Sequence, residues 1–130
     1  MSYYFNKMVK TTDFDTAIAE VTEELKKEGF GVLTEIDVQA TLKKKIDVDF
    51  KKYRILGACN PTFAHKALQS EDKIGVMLPC NVIVEEHENG EIEVSAVDPI
   101  ASMGAVQNDS LGPIAMEVQA KLKKVIASLN

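Results

Sequence analysis

Between Phe14 and Leu25 the apolar residues Phe14, Ala17, Ile18, Val21 and Leu25 recur at helical spacing, and polar residues fill the positions between them. Thr12 with Asp15 three residues on resembles a capping box, while Lys26, Lys27 and Gly29 suit the helix end. Residues 2–9, rich in tyrosine and phenylalanine, read as a strand before this helix. Residues 29–37 predict a second strand, after which Asp37 caps a short helix with Val38, Leu42 and Ile46 on one side. A loop follows, and residues 53–59 form a third strand. Asn60 then starts a helix, because asparagine caps well and proline, here Pro61, suits the first helical position. Phe63, Ala64, Ala67 and Leu68 make that helix's buried stripe.

The stretch from Ile74 to Asp98 reads as two strands joined at Asn89 and Gly90. A two-residue loop would set Val94 against Glu85. A three-residue loop with Gly90 left-handed pairs Val84 with Val94 and Val82 with Ala96, so pattern favours it. This register leaves Glu85 facing Glu93, a repulsion that discourages edge-to-edge association. Pro79 cannot donate to a ladder, so the strand from Ile74 to Val84 lies at an edge or breaks at a bulge there. Residues 100–110 form a loop long enough to be functional. The last helix spans 111–129 with Leu111, Ile114, Val118, Leu122, Val125 and Leu129 as its stripe. The order β-α-β-α-β-α-β-β-α predicts one α+β domain over residues 1–130, a mixed or antiparallel sheet covered by helices on one face.

Composition agrees with a packed fold: 45% of the 130 residues are hydrophobic and 27% charged. The net charge of −5 disfavours nucleic acid, and the lysines at 43–45, 51 and 52 read as a solvated face. No run of apolar residues has the length of a signal peptide or a membrane span, so a cytoplasmic protein is expected, with no membrane partner. In a reducing compartment two cysteines are free thiols, redox groups or metal ligands rather than a disulfide, and two are too few for a zinc ribbon. The chain contains no GxGxxG, P-loop, HExxH or CxxC motif.

Each cysteine directly precedes an asparagine. Cys59, before the helix capped by Asn60, is either a thiol activated near unpaired backbone N–H groups or a small buried hydrophobe at a strand end. Cys80 shares strand parity with Ile74, Val76, Leu78, Val82 and Val84, which points it into the core, and the hairpin register sets it opposite Asp98, where an acid would raise the thiol pKa. His65, one turn into its helix, is a base for Cys59 or a half-exposed surface residue. Met103 is a soft ligand beside Cys59 and Cys80, or a gap filler. His87, at the acidic hairpin tip, reads as solvated.

The motifs "GFGVLTEIDVQATLKKKI", "YRILGACNPTFAHKAL", "IGVMLPCNVIV" and the Asp98-Pro99 step followed by Met103 make the chain resemble the family catalogued as domain of unknown function 302, over nearly its whole length. The resemblance implies a small α+β domain that forms a homodimer, and supplies no catalytic residue. Three functions stand. One is a dimeric binding module whose pocket gathers Cys59, Asn60, His65, Cys80, Asn81, Asp98 and Met103 around a small ligand or soft metal ion. Another is a thiol-dependent enzyme with Cys59 as nucleophile and His65 as base. The third is a structural oligomerisation or interaction domain in which both cysteines merely pack.

Overall fold

A computed structural model of the chain describes residues 2–130. Its elements run β1 (Tyr4–Val9), α1 (Phe14–Lys27), β2 (Gly31–Asp37), α2 (Val38–Ile46), β3 (Tyr53–Cys59), α3 (Pro61–Ser70), a single 3-10 turn (Ile74–Met77), β4 (Cys80–Glu86), β5 (Ile92–Val97), α4 (Pro99–Ser102) and α5 (Leu111–Ser128). The α+β architecture expected from the sequence is present, and every strand pairing is antiparallel.

Local chemistry explains most of the boundaries. Asp13, rather than the Thr12 and Asp15 pair, caps α1: its carboxylate accepts from the backbone N–H of Thr16 at 3.0 Å and from the Thr16 hydroxyl at 2.6 Å. Asp37 caps α2 through the Ala40 N–H. The hairpin has the three-residue register, with Val82 opposite Ala96, Val84 opposite Val94, and Gly90 at φ +85°.

Further expectations fail, and Leu68, expected on the buried stripe of α3, is 43% exposed. The run from Ile74 is not strand. Its first four residues curl into the 3-10 turn, the Leu78–Pro79 bond is cis, and β4 begins only at Cys80, so no strand parity links Cys80 to Ile74, Val76 and Leu78. Residues 100–110 are not one loop, because Asp98 accepts from the Ile100 N–H and caps the short α4. Glu85 and Glu93 guard no edge either: the sheet order is β1-β5-β4-β3-β2, which puts both in interior strands.

The register sorts the sheet into two faces. Leu56, Ala58, Cys80, Val82, Val84, Ile92, Val94 and Ala96 point to one face, where α1 and α5 lay down Ala17, Val21, Leu25, Val118, Leu122 and Val125 to close the main core. A smaller cluster of Ala67, Ile74, Met103, Leu111 and Ala115 joins α3 and the 3-10 turn to α5. The opposite face carries rows such as Asn6, Ser95, Ile83, Ile55 and Ile36, and Met8, Glu93, Glu85 and Tyr53. On this face a Cβ at Gly57 would lie 2.1 Å from Thr34 Oγ1 and 2.8 Å from Pro79 Cγ, so glycine is what lets β2 and the Pro79 turn close over β3.

Candidate functional site

At the end of β3, where strand gives way to α3, a small cavity of about 30 Å³ is lined by Cys59, Asn60, Cys80 and Met103 together with Phe30, Phe63 and other apolar side chains. The chain's two cysteines, both free, thus meet Met103 around one space. Cys80 reaches it from the first position of β4, directly across from Ala58, and Cys59 from the last position of β3. Met103 is brought in from the segment after α4, which is moored by Asn108: its side-chain amide donates to the Ser70 carbonyl at 2.7 Å.

Asn60 occupies the cap position of α3, but its side chain makes no capping bond. The amide instead donates to the Glu28 carbonyl at 3.3 Å, fastening the turn after α1 to the cavity wall. Gly29, at φ +85°, sits against this amide; a Cβ there would come within 3.0 Å of Asn60 Nδ2.

Burial pushes the Cys80 thiol up to about 11, and the neighbouring Cys59 adds to the effect. Asp98, the expected cause, is otherwise engaged: it lies past the end of β5, caps α4 and accepts from Gln119 Nε2 at 3.1 Å. No charged side chain lines the cavity, so nothing in its wall would compensate a thiolate.

The remaining sequence candidates lie elsewhere. His65 is exposed on α3 and makes no hydrogen bond among the described residues, to Cys59 or to any other group. Asn81 is exposed on the opposite face of the sheet, paired across the ladder with Gly57.

That opposite face holds groups the sequence reading passed over. A hollow of about 440 Å³ is bordered by Tyr3, Tyr4, Tyr53, Glu85, Glu93 and Ser95, with Asn81 and Ile83 on its floor. His87 is not solvated: it is half-buried, with Nε2 2.8 Å from Glu93 Oε1. Asn6 donates to the other oxygen of Glu93; this bond first, and His87 after it, hold the Glu93 carboxyl below its ordinary range. Lys51 Nζ sits 2.6 Å from Glu85 Oε1. Burial, followed by the charge of Glu85, raises the Tyr53 phenol. Glu85, His87 and Glu93 place ligand atoms within 4.8 Å of one another, a set that could accept a divalent ion of borderline softness. The hairpin register alone set Glu85 beside Glu93 and could have signalled this region; the arrival of Asn6 from β1 had no local signal.

Domain of unknown function DUF302 is the family that matches, over residues 5–129. The chain belongs to this family. The DUF302 crystal structure of an uncharacterized conserved protein from Bacillus stearothermophilus is similar to it, with 29% sequence identity, complete coverage of both chains and a TM-score of 0.91. No curated protein matches. For a DUF302 domain the four motifs quoted from the sequence acquire a spatial meaning: the Cys59-Asn60-Pro61 step and the Pro79-Cys80-Asn81 step are neighbours across the β3–β4 ladder. Among the described residues no helix is long and apolar enough to cross a membrane.

Proposed function

We propose that this DUF302 domain is a small cytoplasmic binding module, active as a homodimer, whose small cavity holds one soft metal ion, with copper(I) the ion best matched to its donors. The observation that carries the reading is the meeting of Cys59, Cys80 and Met103 around a space of about 30 Å³. Such a volume is that of a single water or ion, so a metabolite does not fit there. Two thiolates and a thioether are soft donors that favour copper(I) over hard cations. The raised thiol of Cys80 sets a cost on this chemistry: a bound ion must displace its proton and supply the positive charge that the wall lacks, so retention should strengthen as pH rises.

A thiol-dependent enzyme has less support. Cysteine catalysis needs a base in hydrogen-bond reach of the nucleophile, and His65 points to solvent without a partner.

Native mass spectrometry of protein reduced and loaded with copper(I) in the absence of oxygen tests the proposal. The expected spectrum is a dimer with one copper per chain, the copper lost when Cys59 and Cys80 are both changed to serine. Met103→Leu, which keeps the apolar volume, should leave the fold intact and weaken copper retention against a competing chelator. Copper-free protein in every case would assign the cysteines to packing alone.

A further inference from the structure

We propose that the open face of the sheet binds a small organic cation, an amine or a quaternary ammonium, in the hollow framed by Tyr3, Tyr4, Tyr53, Glu85, Glu93 and Ser95. This site is separate from the sulfur-lined cavity, and neither reading depends on the other.

The hollow's volume of about 440 Å³ falls in the range of small-molecule sites, roughly 300–1,000 Å³. All three tyrosines of the chain border it, although Tyr3 and Tyr4 lie some fifty residues from Tyr53 in sequence. Aromatic faces attract cations, and the two charged side chains of the lining are both carboxylates. A third feature points to a guest. Ser95 is only 6% exposed, its side chain borders the hollow, and its hydroxyl makes no hydrogen bond among the described residues. That hydroxyl is not one of the fully buried unpaired side-chain atoms, so it opens on the hollow and is free to accept from an ammonium N–H there.

The surrounding contacts show where such a guest would sit. Both oxygens of Glu93 are taken, by Asn6 and by His87, which fixes that carboxylate in place. Glu85 is held through one oxygen only, by Lys51. The Lys51 ammonium also lies 5.9 Å from the centre of the Tyr53 ring. At the rim of the hollow the chain's own ammonium therefore makes the contact to carboxylate and aromatic ring that an incoming amine would make, and Lys51 acts as a built-in competitor. A second copy of the chain set on this face with its two-fold axis close to Glu85 and Glu93 would bring those carboxylates toward their own counterparts.

The chain has no tryptophan, so its intrinsic fluorescence comes from these three tyrosines and reads the hollow directly. Metal-free protein would be titrated with tetramethylammonium and with 1,5-diaminopentane, using 1,5-pentanediol as the neutral control. A saturable change with the cations and none with the diol is expected. Glu85→Gln and Glu93→Gln should each weaken binding roughly tenfold. Should Glu93→Gln fold poorly through loss of its contacts, Ser95→Ala, which removes no protein contact, must show weakened binding in its place. Lys51→Met should tighten binding, whereas Lys52→Met, an identical change of charge at a lysine that lies over the Phe14 ring, should not. The proposal is overturned by the absence of a saturable change up to millimolar cation, or by equal effects of the two lysine variants, which would mean nonspecific attraction to an acidic surface. A solution dimer that buries the tyrosines would overturn it as well.

Discussion

Strands β3 and β4 border two spaces of opposite character. At their Cys59 and Cys80 end the wall is mostly apolar, uncharged and narrowed to about 30 Å³. Across their outer face it is aromatic, acidic and open at about 440 Å³. Both follow from the same ladder, in which Ala58 faces Cys80 on one side while Tyr53 faces Glu85 on the other. The contrast teaches that the period-two alternation of a strand can equip one sheet with unrelated binding chemistries, with guest size and charge set by what packs beyond each face. Helices α3 and α5 line the sulfur-bearing end; tyrosine rings border the other.

The sharpest way to separate the two spaces is to fill one. If copper(I) binds the sulfur cavity, free copper(I) at about a thousand times its Kd should raise the unfolding free energy by about 4 kcal/mol, an effect abolished in the double serine variant and absent on adding an organic cation. Chemical denaturation with and without metal measures it.

In the metal-free protein the Cys80 thiol makes stability fall at alkaline pH. Its pKa is raised from 9.0 to about 11 on folding, so its contribution is complete below about pH 9 and is lost as pH climbs toward 11. The difference between the parent and Cys80→Ala across that window should amount to roughly 2–3 kcal/mol. A parallel pH profile for the two proteins would remove the thiol from the account.

Two substitutions of nearly equal size then contrast the spaces directly. Cys80→Ser places a hydroxyl in the apolar cavity without a partner and should cost about 1–3 kcal/mol in urea unfolding. Ser95→Ala deletes a hydroxyl that already lacks a partner, and should change stability by less than about 0.5 kcal/mol. Equal costs would mean that the two environments are not as different as their linings indicate.

The fold was largely legible in the sequence because its strongest signals are local. Gly90 can take a positive φ, and that single capacity, combined with matching Val82 and Val84 to Ala96 and Val94, set the hairpin register. The stripe from Leu111 to Leu129 is long enough that its period is unambiguous, and every member except the half-buried Ile114 is fully buried. Ile74 to Met77 misled because four apolar residues before a proline fit a strand or a turn equally well, and the choice was made by tertiary packing of Ile74 against Ala67 and Leu111. Within the candidate site, Cys59, Asn60 and Cys80 stood out from the paired Cys-Asn steps, and Met103 from the segment after Asp98 and Pro99. His87 was misread, since its neighbour Glu93 is itself oriented by Asn6, 87 residues earlier in the chain. A strand order of β1-β5-β4-β3-β2 leaves no trace in local periodicity.

That strand order also bears on how the molecule opens. β2, β3, β4 and β5 form a meander of sequence neighbours, whereas β1 joins β5 only by closing a loop of nearly ninety residues. β1 is an edge strand whose loss leaves the meander's ladders intact, so its amides should exchange through a local opening of lower free energy than those of β3 and β4. Tyr4 and Asn6 would depart with it, emptying the hollow of one wall and leaving Glu93 held by His87 alone, while Cys59, Cys80 and Met103 stayed in place. Opening of the edge strand would thus loosen the proposed cation site and leave the sulfur-lined cavity unchanged. Hydrogen exchange resolved by residue, faster in β1 than in β4 and slowed there by an organic cation but not by copper(I), would reveal it.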